Sequence, residues 1–143
     1  MLRGKIGDYA IVDYQVPVNR VLHSPHGKVD LILSKGEKTI LGELKDADSE
    51  ESFLRAVVEI ATYHTKIETN EVINKRFKAC YSEAGAFVPA VIFFEGSRPF
   101  SDYHSDEMPN VRALAEKLGV KVIEIGPAVN GRENIINTEF FFK

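Results

Sequence analysis

The chain has 143 residues, 44% hydrophobic and 27% charged, which suits a single domain with a real core, read as residues 1–143. A net charge of −3 and an isoelectric point near 5.8 are not the footprint of a strong nonspecific nucleic-acid binder, although a metal site can gather acids while basic patches persist elsewhere. The single cysteine excludes a disulfide framework and a thiolate zinc or iron–sulfur site within one chain. No apolar run is long enough to span a bilayer, and no signal-peptide-like stretch opens the sequence, so the expected address is the cytoplasm.

Residues 1–8 show no helical pattern. Tyr9 to Val18 is rich in β-branched and aromatic residues and reads as a strand, with Pro17 marking an edge or an end. His23-Ser24-Pro25-His26-Gly27 is a turn. Its two histidines read as a solvated loop rather than as ligands, since a transition metal needs further donors.

Residues 28–34 and 39–45 are two apolar strands around a charged turn, the signature of a hairpin. Gly36-Glu37 suits a two-residue loop, with glycine first as a type II′ turn prefers. That loop pairs residues whose numbers sum to 73, which sets Asp30 opposite Glu43 on one face, about 4.5–5.5 Å apart at Cβ. Side chains alternate along a strand, so Lys45 shares that face. Two carboxylates and a lysine thus converge on an otherwise apolar hairpin. The competing reading is a surface cross-strand charge pair.

Asp48 and Glu51 have the spacing of a capping box. A helix follows to about Lys66 or Glu68, with Leu54, Val57, Val58, Ile60 and Ala61 as its apolar stripe and Arg55, Glu59, Thr62, Tyr63 and Lys66 on a second face. Residues 70–83 form a second helix, stopped near Gly85. It carries Lys75, Arg76 and Lys78, a cluster suited either to phosphates or to a solvated face. Cys80 on this helix reads as a small buried apolar residue.

Phe87 to Glu95 is a continuous apolar run, expected of a central strand buried on both faces. Gly96 to Met108 reads as a loop. Val111, Leu114, Ala115 and Leu118 give a helical stripe, with Pro109 near its start and Gly119 just past its end. Val120 to Ile125 is a further strand, so strand, helix and strand imply a parallel right-handed crossover. Gly126-Pro127 and Asn130-Gly131 are turn signals before a tail ending Phe140-Phe141-Phe142-Lys143. The tail has no alternation to hide its three rings, and it is expected to pack either on a sheet edge or on a second subunit, the latter making a homodimer.

The hairpin constellation resembles the PD-(D/E)xK phosphodiesterase superfamily. Val29-Asp30 stands for its first half, with Val in place of Pro, and Glu43-Leu44-Lys45 for its second. Glu59 and Tyr63, one turn apart on the following helix, resemble the Gln-x-x-x-Tyr element of the exonuclease-like branch, with Glu replacing Gln. The element order is similar over most of the chain, apart from a helix that usually precedes the first strand. Either that helix is missing here or a partner supplies its packing.

The resemblance implies an α/β, restriction endonuclease-like fold, a mixed β-sheet of an antiparallel hairpin plus parallel strands flanked by α-helices. It implies a metal-dependent nuclease, a phosphodiester hydrolase acting on DNA with Mg²⁺ or Mn²⁺. Asp30, Glu43 and the backbone carbonyl of Leu44 would be the metal ligands. Lys45 would orient water or stabilise charge, and Glu59 and Tyr63 would assist. Lys66, Lys75, Arg76 and Lys78 would contact nucleic acid. The runner-up is a non-catalytic nucleic-acid or protein interaction module on the same fold, since function cannot be read from fold.

Overall fold

The computed structural model describes residues 4–19, 27–81, 86–129 and 132–139, with the backbone alone from residue 127 onward. The elements are β1 (Lys5–Ile6), β2 (Tyr9–Pro17), β3 (Lys28–Lys35), β4 (Lys38–Lys45), α1 (Phe53–Thr69), α2 (Glu71–Tyr81), β5 (Phe87–Phe94), α3 (Arg98–His104), α4 (Pro109–Lys117), β6 (Lys121–Val129) and β7 (Arg132–Glu139). Their seven strands form one sheet whose spatial order follows the chain. β1 to β4 are antiparallel, β4, β5 and β6 are parallel, and β7 returns antiparallel to β6. The fold is therefore α/β, a mixed sheet in which an antiparallel hairpin joins a parallel centre.

The β3–β4 hairpin has the expected register. Leu31 pairs with Gly42 and Lys35 with Lys38, so Gly36-Glu37 is the turn. Gly36 takes φ 61°, the backbone that a type II′ loop asks of its first central residue. β5 lies between β4 and β6 and is buried almost throughout, as its unbroken apolar run requires.

The two faces of the sheet are covered differently. One core joins Leu41, Val91, Phe93 and Val122 of the strands to Phe53, Val57 and Ile60 of α1, Phe77 of α2, Tyr103 of α3 and Ala115 of α4. The other, around Leu33, Ile40, Ile92 and Ile123, is built wholly from strand residues among those described. The sheet curls until β1 lies beside β7, which shelters that second face without helices. Each large apolar side chain fully buried in these cores stabilises the fold by roughly 1.5–3 kcal/mol.

Several sequence expectations change. Gly96 to Met108 is not all loop, because Arg98–His104 is helical. Ser97 caps it by accepting from the Phe100 N–H, and Pro99 sits in its first turn, where a missing N–H costs nothing. The cap of α1 is Ser52, which accepts from the Arg55 N–H at 3.1 Å, so Asp48 and Glu51 do not form the capping box. The buried stripe of α1 is Phe53, Ala56, Val57, Ile60 and Ile67, while Leu54 and Val58 are 43% and 48% exposed. Helix α2 ends its described span at Tyr81, and Cys80 on it is exposed rather than buried. The tail contributes an added strand, β7. Gly85, Asn130-Gly131, His23, His26 and the Phe140–Phe142 run lie outside the described residues.

Candidate active site

Strand alternation and register bring the first three candidates together. Leu41, Glu43 and Lys45 alternate onto the helical face of β4, where Leu41 is part of the core. Past the Leu31–Gly42 pair the same register carries Asp30 opposite Glu43. The Asp30 side chain bonds to that neighbouring strand, as its Oδ2 accepts from the Leu44 N–H at 2.9 Å. Its Oδ1 accepts from the side-chain amide of Gln15 at 3.0 Å.

Glu43 and Lys45 are 5% and 9% exposed, low values for charged side chains, so their pairing matters. Lys45 Nζ lies 2.9 Å from Glu43 Oε1, 2.5 Å from Glu51 Oε2 and 3.7 Å from Glu59 Oε2. Helix α1 and the turn before it thus bring two more carboxylates to the lysine. On the neighbouring strand Phe93 pairs in register with Lys45, and its ring packs against Phe53 and Tyr103.

The electrostatics follow from that crowding. Burial, a hydrogen bond with Glu59 and the charge of Asp30 push the Glu43 carboxyl from its ordinary 4.5 up to about 9, against the opposing pull of Lys45. Burial works against charge on Lys45, but hydrogen bonds to Glu51 and Glu43 and the charges of Glu43 and Glu59 outweigh it and raise its pKa. The hydrogen bond from Lys45 holds Glu51 below its usual value. Tyr63 is raised by burial and by the charges of Glu59, Glu43 and Asp30, while the Gly27 N–H donates to its hydroxyl.

The structure therefore gathers Asp30, Glu43, Lys45, Glu59 and Tyr63 in one place. It also adds Glu51 and Gln15, which the sequence reading did not single out. Glu51 was obscured by its fit to a capping box. Gln15 carries no motif, and only its position across β2 and β3 identifies it.

The basic residues stand apart. Arg76 donates to the carbonyl oxygens of Pro17 and Val18, at 2.8 and 2.5 Å, and so fastens α2 to the end of β2. Lys75 pairs with Glu71 on its own helix. Lys66 and Lys78 are exposed. Beside Glu59 and Tyr63, a cavity of about 400 Å³ opens along α1, lined also by Leu54, Arg55 and Val58.

The donor set at the centre is all oxygen. Among the described residues no three His, Cys, Asp or Glu side chains are grouped as a metal-binding cluster. Two carboxylates with water suit Mg²⁺ or Mn²⁺, which keep several waters and need few protein ligands. Burial is the main cause of the raised Glu43 pKa, and the neighbouring acids Glu59 and Asp30 add to it; a cation bound there would offset that acidic part.

No protein-family profile matches the chain, and no curated protein matches it. Among solved structures, SfsA of Pyrococcus furiosus in complex with Ca²⁺ aligns at 11% identity with a TM-score of 0.44. The alignment covers 92% of this chain and 54% of that one, so the chain spans about half the length of that protein. No helix among the described residues is long and apolar enough to cross a membrane.

Proposed function

We propose that this chain is a divalent-metal-dependent nuclease that hydrolyses phosphodiester bonds of DNA. The observation that carries the reading is the meeting of Asp30, Glu43 and Lys45, with Glu43 and Lys45 buried against each other at 2.9 Å. Asp30, Glu43 and the Leu44 carbonyl would hold Mg²⁺ or Mn²⁺. When bound, such an ion supplies an activated water and neutralises charge on the phosphate.

The chain's own residues do the rest. Lys45, ringed by Glu43, Glu51 and Glu59, works as an ammonium that donates to the attacking water or to a phosphate oxygen as negative charge develops. Glu59 lies 3.7 Å from the Lys45 ammonium and helps hold it in place. Tyr63 ties down Gly27 at the entry to β3 and faces the same carboxylates, where it orients the substrate.

A second reading, a non-catalytic nucleic-acid or protein interaction module, draws on the exposed Leu54 and Val58 beside the centre. The test is cleavage of single-stranded and duplex DNA by the purified chain. Cleavage is expected with Mg²⁺ or Mn²⁺, none with chelator, and none with Ca²⁺, whose looser geometry places the water poorly. Asp30→Asn and Glu43→Gln should abolish it. No cleavage with any divalent ion, or normal cleavage by Lys45→Ala, would replace this reading with the interaction module.

A further inference from the structure

β2 contains an irregularity aimed at the candidate centre. Ala10 and Ile11 pair with Ser34 and Leu33, but Asp13, Tyr14 and Val16 pair with Ile32, Leu31 and Val29. Paired numbers sum to 44 before Val12 and to 45 after it, so Val12 is the extra residue of a β-bulge. The shift decides which side chain faces Asp30. Without it Tyr14 would stand opposite Asp30; with it Gln15 does. Gln15 is also the only non-glycine among the described residues with positive φ, at 50°. L-residues rarely adopt that backbone, least of all inside a strand. Its side-chain amide donates to Asp30 Oδ1 at 3.0 Å, while Asp30 Oδ2 is taken by the Leu44 N–H.

We infer that Gln15 is a positioning residue: the bulge at Val12 and the left-handed backbone at Gln15 hold its amide against Asp30, so that the carboxylate is fixed for cation binding. The inference rests on the metal-site reading given above. With both oxygens anchored from outside, Asp30 presents its remaining lone pairs in one orientation. Partners of this kind, one shell out from a metal, commonly change affinity or activity 10–100-fold when removed. The strained backbone is the structural counterpart of that role. Strain kept at one non-glycine residue, beside a cluster of charges, is what an arrangement selected for a site rather than for stability looks like.

The experiment compares wild type with Gln15→Leu and Gln15→Gly. Mn²⁺ alone is titrated calorimetrically into each metal-free protein, and melting curves are recorded without metal. Both variants should bind Mn²⁺ about 10–100-fold more weakly. Gln15→Gly should melt no lower than wild type, because glycine adopts the φ of this position without strain. Weaker binding in a variant at least as stable is a pattern that a merely structural residue does not produce. In cleavage assays the Mn²⁺ needed for half-maximal rate should rise by the same factor. If wild type binds Mn²⁺ and the variants bind it equally well, Gln15 has no such role and the metal-site reading stands. Weaker binding only in proportion to a lower melting temperature likewise overturns the role. If wild type takes up no Mn²⁺, the metal-site reading itself falls and takes this role with it.

Discussion

At the scale of single residues, Glu43 is where burial and chemistry oppose each other most openly. Its carboxyl is raised from 4.5 to about 9 by burial first, then by Glu59 and Asp30. Between those two values the unfolded chain has released this proton and the folded chain has not. Folding stability is therefore fully present below about 4.5 and declines as pH rises towards about 9. Glu43→Gln removes that dependence. In metal-free melting curves the variant should match wild type near pH 4 and exceed it increasingly above pH 6, while its cleavage is lost. Equal pH slopes for the two proteins would count against the raised value. Lys45→Ala should separate cleavage from metal binding. It abolishes cleavage by at least about 10²-fold, the usual loss on removing a preorganised charge or donor. It keeps Mn²⁺ binding, because lysine is not a ligand. Glu51 is partly exposed, so Glu51→Gln should cost less than about 1 kcal/mol in urea unfolding despite the short contact with Lys45.

Among the elements, α1 matters most, since it carries Glu59 and Tyr63 and the segment leading into it brings Glu51 to Lys45. Its N-terminus is held twice. Ser52 accepts from the Arg55 N–H, and Asp102 of α3 accepts from the Phe53 N–H at 3.0 Å. Ser52→Ala should destabilise the protein by about 1 kcal/mol, the usual value of a lost cap. Asp48→Ala should be nearly silent. The reverse ranking in chemical denaturation would restore the capping box read from the sequence. A second element-scale contact joins α3 to β6, where His104 Nε2 meets Oε1 of the buried Glu124. Removing the imidazole with His104→Ala takes away that partner of a buried carboxylate, at an expected cost of about 1–3 kcal/mol in the same assay.

For the whole molecule, the question is how an acidic protein would hold a polyanion. Exposed Lys66 and Lys78 remain available for phosphates, whereas Arg76 is committed to the carbonyls of Pro17 and Val18. DNA affinity should fall with salt, and Lys66→Glu or Lys78→Glu should each flatten the logarithmic slope by about one. Arg76→Glu should instead lower thermal stability, because it breaks the tie between α2 and β2. An unchanged slope in both lysine variants returns these residues to a solvated face.

The parts of this protein that the sequence determined by itself are those set by near neighbours. A period of two along β4, with Gly36 at the turn, was sufficient to place Glu43 and Lys45 on one face and Asp30 opposite. The apolar run of β5 and the Pro109-to-Gly119 helix were legible for the same reason. What only the tertiary structure decided depends on residues far apart in the chain. Gln15 meets Asp30 because one bulge shifts a register, and no local pattern announces a bulge. Glu51 reaches Lys45 because the helix starts at Phe53 rather than earlier, a choice made by Ser52 together with Asp102 on another helix. The curl that brings β1 beside β7 follows from packing one apolar face of the sheet against itself. The raised proton affinity of Glu43 follows from how deeply the fold buries it, and burial is a property of the assembled fold rather than of any stretch of its sequence.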